Sequence, residues 1–294
     1  MKIRQKEAAD IKIIVCDLDG TLLNHHKKIT SATAEYLIRL QRAGYLLVLA
    51  SGRFYYELTP FIQQLQMKRF HGFAVCANGL EIHDIAKENM HRFDHLSSKE
   101  VQDILALCKQ HHITAYANDH QSYQAVCNPW IYLSIKTARL LCRPFAHVSL
   151  YPMRLLYQTD FQKQGSASSW KQLDKICFLS SHHKLKAFQK EVLTRYPDRY
   201  RFYFVDRFAM EIVKHNVSKC NALAYICKQM GYTMQNILAF GDSGNDEELL
   251  SCAGIGITMK NGFYQTRKKA RILSQRTNNQ EGVLDMLKRL PLLR

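Results

Sequence analysis

The stretch IKIIVCDLDGTLL (residues 11–23) decides the fold of this chain. It opens with a continuous apolar run, residues 11–16, which is typical of a strand buried on both faces of a parallel sheet. The run ends at a polar loop in which Asp17 and Asp19 stand two residues apart, followed by Gly20. In open α/β sheets, ligands bind just beyond the carboxyl ends of the strands. The stretch therefore predicts a buried strand that brings two carboxylates to a binding edge.

Three further polar segments each follow a predicted buried strand. SGR (residues 51–53) follows YLLVLA, HNVSK (residues 215–219) follows FAMEIV, and GDSGND (residues 241–246) follows NILAF. The carboxyl ends of parallel strands lie side by side, so segments more than 200 residues apart in the chain can meet at that edge. The sequence therefore predicts one cleft built from all four segments.

The alternation of strands and helices is interrupted by a long segment of different pattern. We predict an α/β fold whose core is a Rossmann-like, doubly wound parallel sheet formed by residues 1–85 and 207–294. Residues 86–206 are predicted to form an inserted α+β cap domain that closes over the substrate and sets specificity. Aromatic residues of the insert could line its substrate pocket, although a position in the core or on the surface of the cap is the favoured interpretation. They are Tyr123, Trp130 and Tyr132.

The predicted cleft gathers more negative charge than an uncompensated site can hold. Asp17, Asp19, Asp242 and Asp246 would repel one another unless a cation or protons compensate them. A hard divalent cation with oxygen ligands fits this set, and Mg²⁺ commonly shares its ligand shell with a substrate phosphate. Lys219, favoured over Lys214 because Ser218 can cap the helix that it opens, would face the remaining phosphate charge. The pattern predicts a magnesium and phosphate site.

Phosphoryl transfer assigns a role to each group of the first two segments. A carboxylate beside a bound phosphate can attack phosphorus in line, and Asp17 is placed for that attack. Asp19 can protonate the leaving alcohol and later accept a proton from water. Ser51 can donate a hydrogen bond to the phosphoryl oxygens, and Gly52 allows close approach of the backbone.

Together these segments resemble the haloacid dehalogenase superfamily, and their arrangement is most similar to its Cof-like phosphatases with a type IIB cap. The first motif reads DLDGTLL, the second ASGR, the lysine motif VSKCNAL and the acidic motif GDSGNDEELL. The later AGIGITMKNG and EGVL also resemble that family, so the resemblance spans nearly the whole chain. Cys220 departs from the pattern, because a glycine usually follows the lysine there.

The resemblance implies a specific function for each of these positions. Asp17 would be the nucleophile and Asp19 the general acid and base of an aspartyl-phosphate mechanism. Mg²⁺ would be held by the Asp17 carboxylate, the Asp19 backbone carbonyl and Asp242. Contacts to the substrate phosphate would come from the Leu18 backbone, Ser51, Gly52, Lys219 and Asn245. Asp246 would orient metal-bound water or the lysine, and Asn78 with Gly79 matches a turn near the cleft. The expected substrate is a small phosphorylated metabolite: a sugar phosphate, a nucleotide or a phosphorylated cofactor.

Two alternatives to a phosphatase stay open. A phosphomutase is the nearest one within the same fold, although ASGR favours a phosphatase. The formal net charge of +16 at pH 7 raises a second alternative, a non-catalytic nucleic-acid-binding or regulatory protein. The basic residues are spread along the chain, so a solvated basic surface is favoured over binding of nucleic acid.

Other features indicate where the protein works. The sequence lacks a secretory h-region and an apolar run of membrane-spanning length, so no membrane association is predicted. Nine cysteines at irregular spacings include no C-x-x-C pair, which favours free thiols in a reducing, cytoplasmic compartment. The pattern specifies neither an oligomeric state nor the physiological substrate.

Overall fold

In a computed structural model, the structure describes residues 9–119, 122–127, 137, 159–163, 173–205 and 207–293. The described chain forms two compact units. The first comprises residues 9–93 and 216–293, and the second comprises the described residues between 94 and 215. Of the three aromatic residues singled out in the insert, Trp130 and Tyr132 lie outside the described residues, and Tyr123 is described only as part of a strand backbone.

The first unit is built on an eight-stranded sheet. Its strands are β1 (Ile13–Cys16), β2 (Leu46–Ala50), β3 (Phe73–Cys76), β4 (Glu81–Asp84), β5 (Asn89–Arg92), β12 (Ile237–Gly241), β13 (Ile255–Thr258) and β14 (Ile272–Leu273). The order across the sheet is β14-β13-β12-β1-β2-β3-β4-β5. All neighbours from β14 to β3 run parallel, whereas β4 and β5 are antiparallel to theirs. The predicted parallel α/β sheet is therefore confirmed, with an antiparallel hairpin at one edge.

Helices cover both faces of this sheet. They are α1 (Ser31–Arg42), α2 (Tyr55–Gln64), α5 (Lys219–Met230), α6 (Glu247–Cys252), α7 (Tyr264–Lys269) and α8 (Gly282–Arg289). Successive side chains of β1 point into different cores, because Ile14 packs in one apolar cluster with Leu37 of α1, while Val15 packs in another with Leu223 of α5. A strand buried on both faces explains the uninterrupted apolar run that opened the sequence.

The second unit has its own sheet and core. Its strands are β6 (Thr114–Asp119), β7 (Ser122–Cys127), β8 (Thr159–Lys163), β9 (Lys175–Leu179), β10 (Tyr200–Phe204) and β11 (Ala209–Lys214), arranged in the order β10-β11-β9-β6-β7-β8. Helices α3 (Ser98–Gln110) and α4 (His182–Arg195) contribute to a separate apolar cluster that includes Phe178 and Phe188. No helix among the described residues is long and apolar enough to cross a membrane.

One strand lies in a different sheet from the one that the sequence indicated. The run FAMEIV (residues 208–213) was predicted to resume the first sheet, yet β11 pairs antiparallel with β9 and β10 of the second sheet. Its burial pattern alternates only in part, so its apolar composition alone does not reveal its partners. Lys219 therefore enters the first unit on a helix rather than beyond a strand of that sheet.

Candidate active site

The site begins at the carboxyl end of β1. Asp17 is 5% exposed, and its backbone N–H donates to the carbonyl of Phe240 on the neighbouring strand β12. Because β1 and β12 run parallel with Cys16 opposite Phe240, the loops that follow the two strands emerge side by side. This pairing brings Asp17 beside the acidic loop that contains Asp242.

Helix α5 carries a lysine into the same place. Ser218 caps the helix by accepting a hydrogen bond from the backbone N–H of Asn221, as the sequence indicated. The Lys219 side chain is fully buried, and its Nζ lies 2.7 Å from Oδ1 of Asp17 and 2.7 Å from Oδ1 of Asp246. Lys214, the competing lysine, instead pairs with Glu100 in the second unit at 2.6 Å. Between the two candidates, it is Lys219 that the fold brings to the carboxylates.

The conformation of the acidic loop is stabilised by hydrogen bonds from its backbone to one of its own carboxylates. Asp246 is fully buried, and its Oδ2 accepts hydrogen bonds from the N–H groups of Asp242 and Ser243. The hydroxyl of Thr21 donates to Oδ1 of Asp242 at 2.9 Å. Gly20 has a φ of +80°, and a side chain there would overlap the Asp242 carboxylate. The glycine of the first motif thus makes room for the aspartate of the last.

Three carboxylates form a compact cluster. One oxygen from each of Asp17, Asp242 and Asp246 lies within 4.8 Å of the others, an arrangement able to hold a metal ion. Burial, together with Asp246 and Asp19, raises the pKa of Asp17 to about 7 despite Lys219. Burial and the Asp17 and Asp246 charges likewise raise the pKa of Asp242 to about 8. Although burial lowers the pKa of Lys219, its carboxylate partners raise it further, above its ordinary value. The cluster therefore has one ammonium group for three acids, and it lacks positive charge. A divalent cation with oxygen ligands would supply that charge.

Asp19 stands apart from this cluster in a more exposed position. Its side chain is 40% exposed. It forms a bidentate ion pair with Arg53, whose Nε lies 2.6 Å from Oδ2 and whose Nη2 lies 2.7 Å from Oδ1. Lys27 Nζ lies 2.6 Å from Oδ1 of the same carboxylate. Burial raises the pKa of Asp19, but Arg53 and Lys27 outweigh it and hold that pKa below its ordinary value.

A polar corner, formed by Ser51, Gly52, Asn78 and Asn245, lies between β2 and the acidic loop. Ser51 is buried at the end of β2, and its hydroxyl accepts from the N–H of Arg53. A Cβ on Gly52 would come within 2.8 Å of Oδ1 of Asn78, the atom that also accepts from the Asn245 side chain at 2.9 Å. The Asn78 backbone has a φ of 62°, in the left-handed region that an Asn-Gly pair favours. The second motif, this turn and the acidic motif thus meet at one point.

The fold brings the predicted site residues together with one difference of grouping. Asp17, Asp242, Asp246 and Lys219 share a buried cluster, while the Asp19 carboxylate faces cations instead. Leu18 is buried, and its carbonyl accepts from the N–H groups of Thr21 and Leu23, which closes the loop. Sequence reasoning missed the contacts of Arg53, Lys27 and Thr21. Their signal was present, since Arg53 ends the SGR segment and Lys27 belongs to the basic run HHKK.

Comparison with known proteins identifies the family of this chain. The family of haloacid dehalogenase-like hydrolases matches residues 14–287. The pyridoxal phosphate phosphatase YbhA of Escherichia coli (strain K12) is 27% identical over 267 residues, which cover 89% of this chain and 92% of that protein. The crystal structure of a haloacid dehalogenase-like hydrolase from Bacteroides thetaiotaomicron is 26% identical, with a TM-score of 0.71 over 95% of this chain and 99% of its own. A sugar phosphatase of subclass IIB of the superfamily has the same fold, with a TM-score of 0.74 at 18% identity over 96% of this chain and 100% of its own.

A parallel sheet with acidic loops at its carboxyl edge places the chain among α/β proteins that carry a polar site at that edge. The chain belongs to the family of haloacid dehalogenase-like hydrolases. The predicted resemblance to Cof-like phosphatases and the predicted enzyme class, a phosphatase of this family, are confirmed.

Proposed function

We propose that this enzyme is a Mg²⁺-dependent phosphatase that hydrolyses a small phosphorylated metabolite through a phosphorylated Asp17. The observation that carries the proposal is the buried cluster in which Lys219 Nζ lies 2.7 Å from Asp17 and from Asp246, with Asp242 beside them. The cluster combines a carboxylate nucleophile, a fixed cation and an excess of negative charge. Phosphoryl transfer requires this combination, because its catalysis consists largely of positioning and of charge stabilisation.

The donor set supports a magnesium site. The Asp17 carboxylate, the Asp19 backbone carbonyl and Asp242 would hold the ion, all through oxygen atoms of the kind that Mg²⁺ prefers. Bound there, Mg²⁺ would supply positive charge that offsets the charge of the phosphoryl group. Burial first, and the neighbouring carboxylates second, raise the pKa values of Asp17 and Asp242, and a cation bound between them would favour their ionised forms.

The first chemical step falls to Asp17. A carboxylate oxygen of Asp17 forms a bond to phosphorus while the bond from phosphorus to the ester oxygen breaks. Asp19, which lies two residues further along the same loop, gives its proton to the departing oxygen. Lys219 favours the ionised form of Asp17 and holds it in place, because its ammonium group is buried against that carboxylate. The products of the step are the free alcohol and an acyl phosphate on Asp17.

The second step returns the enzyme to its starting state. A water molecule attacks phosphorus and passes a proton to Asp19, inorganic phosphate leaves, and the Asp17 carboxylate is restored. The ion pairs with Arg53 and Lys27 suit this step, since they favour the ionised Asp19 that can accept a proton. For the first step, Asp19 must be protonated, so the incoming ester must weaken at least one of these pairs.

Binding of the phosphate group is assigned to the polar corner. Ser51, Gly52, Asn245 and the backbone of Leu18 are proposed to contact the phosphoryl oxygens. The support is geometric: the Gly52 backbone lies so close to Asn78 and Asn245 that a Cβ there would come within 2.8 Å of Asn78 Oδ1. The Ser51 hydroxyl, which accepts a hydrogen bond from the Arg53 N–H, lies next to it in the chain. The substrate class follows the relatives. Pyridoxal phosphate and sugar phosphates, the substrates of the pyridoxal phosphate phosphatase and of the sugar phosphatase compared above, are the first candidates.

The test is phosphate release from p-nitrophenyl phosphate and from a panel of sugar phosphates, nucleotides and pyridoxal phosphate, with Mg²⁺ or with EDTA. We expect Mg²⁺-dependent release that Asp17→Asn abolishes and that Asp10→Asn, a change at an exposed aspartate, leaves unchanged. After reaction with p-nitrophenyl phosphate, whose leaving group departs without a proton from Asp19, acid-quenched Asp19→Asn protein should carry a phosphate on Asp17 by peptide mass spectrometry. Release that survives in the Asp17 variant would refute the proposed nucleophile. Transfer between two hydroxyls of a sugar bisphosphate without net release would favour a phosphomutase.

A further inference from the structure

Two cysteines lie in contact beside the lysine helix. Cys220 stands in the first turn of α5, immediately after Lys219, and Cys252 is the last residue of α6. The structure joins them in a disulfide across a separation of 32 residues. Both are half-buried, so small solutes can reach them, whereas the free cysteines of the described chain are mostly buried. Sequence reasoning missed the pair because it looked for cysteines at short spacing.

The disulfide ties together the same two segments that an ion pair already joins. Asp246 precedes α6 directly and binds Lys219, so the amino end of α6 is held to the first turn of α5. Cys252 holds the carboxyl end of α6 to that same turn through Cys220. Helix α6 is six residues long, and both of its ends are therefore fixed to α5.

We propose that Cys220 and Cys252 form a reversible modification site that exchanges with small disulfides of the oxidised-glutathione type. The proposal reconciles the disulfide with the free thiols that the sequence predicted, because such an exchange follows the balance of thiol and disulfide around the protein. When small thiols dominate, Cys220 and Cys252 are free thiols. When small disulfides accumulate, the two cysteines form the disulfide.

The chemistry starts at Cys220. The amino end of a helix favours the thiolate form, and a carboxyl end disfavours it, so Cys220 is the attacking group and Cys252 the resolving one. The Cys220 thiolate attacks one sulfur of the small disulfide and releases one thiol, which leaves a mixed disulfide on Cys220. The Cys252 thiolate then attacks Sγ of Cys220 and releases the second thiol. Two protein thiols and one small disulfide thus become one protein disulfide and two small thiols.

Closure should stabilise the first unit. A disulfide across 32 residues removes conformational freedom from the unfolded chain, and we expect the melting temperature of this unit to rise by roughly 5–10 °C. The experiment incubates the full chain with oxidised or with reduced glutathione, alkylates the free thiols, maps them by peptide mass spectrometry and measures thermal unfolding. Neither readout depends on activity, so the result is independent of the function proposed above.

The variants separate the proposal from a general effect of oxidation. We expect a linked Cys220–Cys252 peptide and a higher melting temperature after oxidised glutathione, both reversed by reduced glutathione. Cys220→Ser and Cys252→Ser should lose the response, while Cys227→Ser, a buried cysteine of the same helix, should keep it. Cys220 and Cys252 that stay alkylatable, or that each carry a separate glutathione, would overturn the proposal. So would a melting response that persists in Cys220→Ser.

Discussion

Lys219 Nζ lies 2.7 Å from Asp17 and 2.7 Å from Asp246, so one buried ammonium group bridges residues from the first and the last motif of the site. Removing one partner from a buried charge network leaves the others without compensation, which costs about 3–5 kcal/mol in comparable cases. The bridge therefore ties the stability of the first unit to the integrity of the catalytic cluster.

We expect Lys219→Met to lower the free energy of unfolding of the metal-free protein by about 3 kcal/mol and kcat/KM by about 100-fold or more. Urea unfolding and steady-state hydrolysis of p-nitrophenyl phosphate measure the two effects. Lys228→Met, at an exposed lysine of the same helix, serves as the matched control and should change neither. A Lys219 variant with unchanged hydrolysis would remove the lysine from the mechanism.

Arg53 should control the pH dependence of the reaction through Asp19. Arg53 and Lys27 hold the pKa of Asp19 below its ordinary value, so replacing Arg53 by glutamine should raise that pKa. A rate that needs ionised Asp19 then falls at a higher pH than in the parent protein. We expect the acid limb of the kcat profile to move upward in Arg53→Gln and to stay in place in Arg42→Gln, an exposed arginine. An unmoved acid limb would count against Asp19 as the base.

Metal binding should stabilise the protein more at high pH than at low pH. Without metal, the pKa of Asp17 is about 7 and that of Asp242 about 8, both above the ordinary value of 3.8. Acids whose pKa is raised on folding bind more protons in the folded state, so the metal-free protein loses stability as pH rises from about 4 to about 8. Mg²⁺ favours the ionised carboxylates and offsets this loss.

Thermal unfolding with Mg²⁺ or EDTA at pH 6 and pH 8 tests that linkage. At a fixed Mg²⁺ concentration equal to ten times the dissociation constant at pH 8, the ion should contribute about 1.4 kcal/mol at pH 8, or roughly 2–5 °C in melting temperature, and less at pH 6. In Asp242→Asn, one buried acid is gone, so the metal-free protein should depend less on pH and respond less to Mg²⁺. An equal Mg²⁺ effect at both pH values would contradict the assignment.

The second unit offers a separate test at acid pH. Lys214 and the capping Ser97 lower the pKa of buried Glu100 to about 2, outweighing the effect of burial, against 4.5 for an ordinary glutamate. A pKa lowered on folding contributes stability above pH 4.5, and this stability is lost as pH falls toward 2. The contribution at neutral pH is about 3 kcal/mol as an upper bound. Glu100→Gln should therefore unfold in less urea than the parent at pH 7, and the difference should shrink by pH 3. Glu191→Gln, at a more exposed pair with His111, should show little change.

The sequence predicted the parts of the fold that depend on local pattern. The apolar runs of β1, β2 and β12 end at polar loops, and the packing of parallel strands then forces Asp17 and Asp242 together. The positive φ of Asn78 follows from the Asn-Gly pair in the same way. These features required no knowledge of distant contacts.

What the sequence did not reveal depends on pairing between distant residues. Strand β11 is as apolar as its neighbours in the chain, and its place in the second sheet follows from hydrogen bonds to β9 and β10. The ion pairs of Asp19 with Arg53 and Lys27 depend on the paths of two loops. The contact of Cys220 with Cys252 depends on how α5 packs against α6. Composition and residue spacing do not predict which distant residues come into contact.

The position of β1 in the sheet also bears on how the chain is synthesised. Its partner β2 follows within the next forty residues, but its other partner, β12, starts at residue 237. During translation, β1 must therefore wait with one edge unpaired while most of the chain, including the second unit, emerges from the ribosome. The second unit has its own apolar core and can fold during that interval. The first unit closes late, and until then β1 exposes unpaired backbone N–H and C=O groups along the edge that β12 later covers.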